Sequence, residues 1–133
     1  MVKNSEHLWQ QCETDLKEAC IKQQYDKAET ILAKALKIAE ESGVLDSKLL
    51  HSLHTLAAIY CMDRQYAKAE GLYRHGLKAR EKAFGANHPD IVDSLERLAV
   101  VVQETRGKQE AMAISFRAQT MAVGLRSQLA AGQ

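Results

Sequence analysis

Residues 53–99 read LHTLAAIYCMDRQYAKAEGLYRHGLKAREKAFGANHPDIVDSLERLA, and this stretch starts to repeat itself before it ends. Leu53, Leu56 and Ala57 return 42 residues later as Leu95, Leu98 and Ala99, and Gly43 returns as Gly85. A looser copy lies upstream, with Tyr25, Ala28, Glu29 and Leu36 placed 41 residues before Tyr66, Ala69, Glu70 and Leu77. A period in this range marks a repeat architecture, in which one supersecondary unit stacks on copies of itself. Such stacks present surface and seldom carry out chemistry.

Each copy reads as a pair of helices. The chain has one proline, its apolar residues recur at helical spacing, and no window alternates with the period of an exposed strand. The spacing predicts a first helix over about 5–22, carrying Leu8, Trp9, Cys12, Leu16 and Ala19. A second runs from Tyr25 to just before Gly43, with Ala28, Leu32, Ala35, Leu36 and Ile38 inward. A third follows Asp46 or Ser47, either of which can cap it, and buries Leu49, Leu53, Leu56, Ala57 and Tyr60. The fourth covers Tyr66 to Ala83, with Ala69, Leu72, Tyr73, Gly76 and Leu77 inward. Gly85 breaks the chain, and Pro89 suits the first turn of a fifth helix carrying Ile91, Val92, Leu95, Leu98, Ala99 and Val102. After a turn at Gly107 the sixth helix runs from Lys108 into the 120s, and its end, RSQLAAGQ, is expected to fray. Short turns between such helices force antiparallel pairs, hence three hairpins. Ala57 and Ala99 on first helices, and Ala28, Ala69 and Ala111 on second helices, mark where the axes must approach closely.

Composition sets bounds on function. A chain of 133 residues, 46% apolar and 26% charged, fits one soluble domain able to build a core without disulfides or metal. A formal charge of +1 gives no reason to expect nucleic acid or an anionic membrane as partner. Cys12, Cys20 and Cys61 form no CxxC pair and read as reduced core thiols. No signal-like leader or long apolar run is present, so a cytoplasmic protein is expected.

Candidate chemistry is sparse. His51 and His54 share a helix face and Cys61 lies two turns on, but no further ligand closes a tetrahedron, so no metal is expected. His88 reads as part of a helix cap rather than a base, because no nucleophile accompanies it. Trp9 sits on an apolar stripe and reads as a packing residue. Glu40, Glu41 and the charges of Lys78–Lys82 read as solvated helix ends. No phosphate-cradling loop or catalytic triad is present, so neither enzyme activity nor a cofactor is expected.

The pattern Leu53, Leu56, Ala57, Tyr60, then Tyr66, Ala69, Tyr73, Gly76, resembles a tetratricopeptide repeat running into the next one. The longer period, with Gly85, Asn87, His88, Pro89 and Asp90 in the link, is similar to the kinesin light chain type. The third repeat keeps Leu95, Leu98, Ala99, Ala111 and Ala118, with Ser115 at a usually large position. The first helix of the first repeat is degenerate, with Asp15 near an apolar place. The resemblance implies a single domain over 1–133, an all-α, right-handed α-solenoid of three hairpins with repeats at about 5–45, 46–87 and 88–128. It also implies a scaffold whose first helices line a concave groove for a peptide segment of a protein partner. Carried over by position, the groove face would be Gln10, Glu13 and Lys17; His51, His54 and Ala58; and Asp93, Glu96, Arg97, Val100 and Gln103. Kinesin light chains commonly carry paired Asn in these helices, whereas His54–Thr55 and Glu96–Arg97 stand here. A clamp for a chaperone's C-terminal carboxylate is disfavoured, since Glu13 and Asp93 would repel it. Histidines beside Asp93 and Glu96 are expected to gain charge near pH 6.

The sixth helix spreads Met112, Ile114, Phe116, Met121, Val123 and Leu125 around its circumference, where repeat stacks normally place a polar cap. The sequence offers no such cap, which raises an alternative of self-association into homo-oligomers through Met121, Val123 and Leu125.

Overall fold

The structure, a computed structural model, describes residues 2–42 and 47–132, with side chains at 10–39, 41–42 and 48–132. The chain forms six helices in order: α1 (Val2–Ile21), α2 (Tyr25–Ser42), α3 (Ser47–Met62), α4 (Tyr66–Phe84), α5 (Pro89–Arg106) and α6 (Lys108–Ala131). No strand occurs among the described residues. Helices α1 and α2, α3 and α4, and α5 and α6 pack as hairpins, and the hairpins join through α2 against α3 and α4 and through α4 against α5. The molecule is the expected all-α helical-repeat solenoid. The expectations for Leu8, Trp9 and Glu40, for Gly43 as a stop and for Asp46 or Ser47 as a cap lie outside the described side chains and residues.

The buried stripes follow the helical period. Cys12, Leu16 and Ala19 lie inward on α1; Leu49, Leu53, Leu56, Ala57 and Tyr60 on α3; Ile91, Leu95, Leu98 and Val102 on α5. Each buried large aliphatic side chain contributes roughly 1.5–3 kcal/mol. Close approach is set by small residues. Ala28, Ala57 and Ala69 are fully enclosed, and a Cβ at Gly76 would lie 3.3 Å from Leu53 Cδ2.

Two hairpin turns are made without glycine. Gln23 and Arg64, equivalent residues of successive repeats, hold φ at 58° and 61°. The next N–H in each case returns to the helix end, Gln24 to the Ala19 carbonyl and Gln65 to the Tyr60 carbonyl, both at 2.8 Å. This return bond satisfies an orphan carbonyl and offsets the cost of the left-handed backbone. In the third hairpin Gly107 alone links the helices, with φ at 98°. Before α5, His88 Nδ1 accepts the Asp90 N–H at 3.1 Å while Pro89 takes the first helical position. His88 is therefore a cap, and its ring also stacks on Phe84 with centroids 4.7 Å apart.

Three details differ from the sequence reading. Helix α1 starts at Val2, before the expected residue 5. Helix α6 extends to Ala131, beyond the 120s, and Gly132 is its C-cap. Within Lys78–Lys82, Arg80 is buried rather than solvated.

The repeats are joined by a device that recurs. Tyr60 Oη donates to Glu29 Oε2 at 3.0 Å and to the Tyr25 carbonyl at 3.2 Å. One repeat on, Thr105 Oγ1 donates to Glu70, which also accepts from Arg74 Nε at 2.9 Å and Arg106 Nε at 3.2 Å. Glu29 and Glu70 are repeat equivalents, so the same carboxylate on α2 and on α4 receives a hydroxyl from the end of the first helix that follows. Burial raises the Tyr60 phenol's pKa, and its bond to Glu29 raises it further.

Candidate functional site

The residues singled out for a binding face sit on α1, α3 and α5. On α1, Gln10 and Lys17 are exposed and Glu13 is half-buried. Glu13 lies 3.5 Å from Lys17 Nζ and 4.0 Å from Lys48 Nζ, the latter reaching across from α3. On α3, His51 and Ala58 are exposed and His54 is half-buried. On α5, Glu96, Arg97, Val100 and Gln103 are exposed and Asp93 is half-buried.

A cluster of charges connects α4 to this face. Arg80 Nη1 donates to Asp93 Oδ2 at 2.9 Å, to Ser94 Oγ at 2.7 Å and to the Asp90 carbonyl at 2.9 Å. Arg97 Nε donates to the same Asp93 oxygen at 3.0 Å. Burial pushes the Asp93 pKa up, but the bonds from Arg80 and Arg97 outweigh it and hold the carboxyl below its usual value. The His54 ring lies 5.9 Å from the Tyr73 ring. Its pKa is pushed down to about 4, first by burial and then by the charges of Arg97 and Arg80, with Asp93 too weak to compensate. The expectation that this histidine charges near pH 6 is therefore corrected. Its acidic neighbour is already claimed by two guanidinium groups.

The face also carries apolar side chains that the core does not use. Ile21 follows Glu13 and Lys17 along one stripe of α1 and is 82% exposed. Met62, one turn beyond Ala58, is 85% exposed, and Val100, one turn beyond Glu96, is 71% exposed. By contrast, α2 has no exposed large apolar side chain among the described residues, and α4 has only Phe84, at its end.

Of the residues named for self-association, Val123 is exposed, Met121 packs against the core and Leu125 is half-buried. Among the described residues no group of three or more His, Cys, Asp or Glu side chains could hold a metal ion. Among the described residues Arg80 and Glu70 are buried charges; the sequence reading had put Arg80 among solvated charges and gave Glu70 no role. Arg80 was detectable, since it follows Gly76 and Leu77 on the inward stripe of α4. Glu70 had a signal too, its recurrence as Glu29.

Residues 49–90 match the family model of the tetratricopeptide repeat. The match begins just inside α3, spans all of α4 and ends on the first turn of α5, so it covers one full hairpin and the capped link that follows. Comparison with curated proteins finds no match. Tetratricopeptide repeats serve in general as protein–protein interaction modules, and that coarse role applies to the matched hairpin. Among the described residues no helix is long and apolar enough to cross a membrane.

Proposed function

We propose that this protein is a non-enzymatic adaptor that holds an extended or helical segment of a partner protein across the first-helix face. The observation that carries the reading is the exposure of Ile21, Met62 and Val100 on α1, α3 and α5. Each is a large apolar side chain left out of the core on a face where charged groups alternate with it. A partner segment with apolar residues spaced to meet these positions would bury them and gain roughly 25 cal/mol per Å² before ordering costs.

Charge sets a preference. Lys17 is matched by Glu13 and Arg97 by Asp93, while Glu96 and Glu104 have no ion-pair partner among the described residues. The face thus favours a neutral to basic segment. The 41–42-residue spacing and the Gly85–Asp90 link support the longer, kinesin light chain type of repeat. Three unpaired thiols suit a reducing compartment, and the cytoplasm is the one we propose.

The test is a selection of binding peptides from a random library on the wild-type protein, followed by affinity measurement on Glu96→Lys and Val100→Asp. Both positions are exposed, so helicity should persist. The expected result is binding weakened about tenfold or more by each variant. Unchanged affinities in both would exclude this face.

A further inference from the structure

The end of the stack is built differently from its joints. Helix α4 receives α5 through Glu70, which takes bonds from Thr105 and Arg106 and is braced from its own helix by Arg74, and through Arg80, which reaches Asp90, Asp93 and Ser94. The residues 42 positions on, by the register that aligns Ala69 with Ala111, are Met112, Phe116 and Ala122. Glu70 and Arg80, which hold α5, and Arg74, which braces Glu70, all have apolar counterparts on α6. Met112 is 59% exposed and Phe116 70%, and Val123, two turns beyond Phe116 on the same stripe, is 60% exposed. The opposite face of α6, with Ala111 and Ala118, is the buried one.

Charge accompanies this stripe. Lys108 and Arg126 are 18 residues apart, five helical turns, and so flank the stripe on the same side. Both are exposed, and neither has an ion-pair partner among the described residues. After Glu110 the sequence has no acidic residue through Gln133.

We infer that this α6 stripe docks an acidic amphipathic helix of another protein, laid against α6 as α5 lies against α4. The occupant is a helix because the stripe continues, in register, a face that already takes one. It is acidic because the charged residues of α6 that flank Met112, Phe116 and Val123, Lys108 and Arg126, are cationic. A second copy fits poorly. An antiparallel pair of α6 helices centred between Met112 and Val123 would bring Lys108 of one copy beside Arg126 of the other. Continuing the stack onto α1 fails for a different reason, since Gln11, Thr14 and Glu18 are exposed and polar there. This surface is separate from the first-helix face and does not depend on it.

The probe is a labelled synthetic 18-residue helix with leucines at i, i+4, i+7 and i+11 and glutamates on both flanks, measured by fluorescence anisotropy against residues 1–133. A twin with lysines on the flanks is the control. The glutamate helix should bind at least tenfold more tightly than its twin, and Phe116→Glu and Arg126→Glu should each weaken it several-fold. Neither variant should alter the affinity of a peptide selected on the first-helix face. Because Phe116 is mostly exposed, circular dichroism should show an unchanged fold; Val123→Glu serves if it does not. Equal binding of the two helices, or indifference to all three substitutions, overturns the inference. So does a concentration-dependent dimer that Phe116→Glu dissolves, since the stripe would then belong to a second copy.

Discussion

Replacing Arg80 with methionine keeps an aliphatic stem in the α4–α5 joint and removes its guanidinium. The arginine side chain is only 9% exposed, and one nitrogen, Nη1, serves the Asp93 carboxylate, the Ser94 hydroxyl and the Asp90 carbonyl. A hydrogen bond to a charged acceptor is worth about 1.5–3 kcal/mol net, and one to a neutral acceptor about 0.5–1.5 kcal/mol. Against that, Arg80 Nε is buried with no acceptor, a cost that methionine relieves. The balance is a loss of about 2–3 kcal/mol. For a domain of this size that lowers the melting temperature by roughly 6–15 °C. Thermal unfolding by circular dichroism, with urea midpoints alongside, measures it. The same variant should raise the His54 pKa above its value of about 4, because a nearby positive charge is gone. An unchanged melting temperature together with an unchanged His54 titration would refute the role given to Arg80.

The two repeat joints should respond alike: Tyr60→Phe and Thr105→Val each remove a hydroxyl bonded to a carboxylate and should cost about 1–2 kcal/mol by urea unfolding. Ala57→Leu or Ala69→Leu should overpack a hairpin and destabilise by roughly 1–3 kcal/mol, seen as a lowered melting temperature. Stability should also decline as pH falls from 6.5 towards 4, because His54 takes up a proton in that window when unfolded but stays neutral when folded. His54→Gln should flatten that part of the pH–stability profile, and a profile identical to wild type would contradict the assignment. The carboxyls of Glu70 and Asp93, both held below their usual values, contribute stability that is present above the ordinary carboxylate range and lost below it.

The helices were legible because apolar and small residues recur with two nested periods, the helical one and that of the repeat. Gly85, Pro89 and Gly107 punctuated the chain by their backbone preferences alone. The turns at Gln23 and Arg64 were harder, since their left-handed backbone is stabilised by return bonds to the helix end rather than by residue type. The face residues Ala58, Glu96 and Val100 came from the repeat resemblance, and all three are exposed on α3 and α5. What periodicity does not convey is which charges pair across elements. Arg80 looked like one of several solvated cations, although its position on the inward stripe directed it to Asp93. Burial first, and then the charges of Arg97 and Arg80 around that pairing, hold the His54 pKa down. On α6, large apolar residues all round the helix hid which face is buried, and the small residues Ala111 and Ala118 turned out to mark it.

The central claim is that the first-helix face, and not the back of the stack, takes a partner segment. Nuclear magnetic resonance mapping of residues 1–133 with a library-selected peptide tests it most directly. The account predicts shifted amide signals concentrated on α1, α3 and α5, around Lys17, Ile21, Ala58, Met62, Glu96 and Val100. Shifts confined to the outer surfaces of α2 and α4, with these residues untouched, would contradict it.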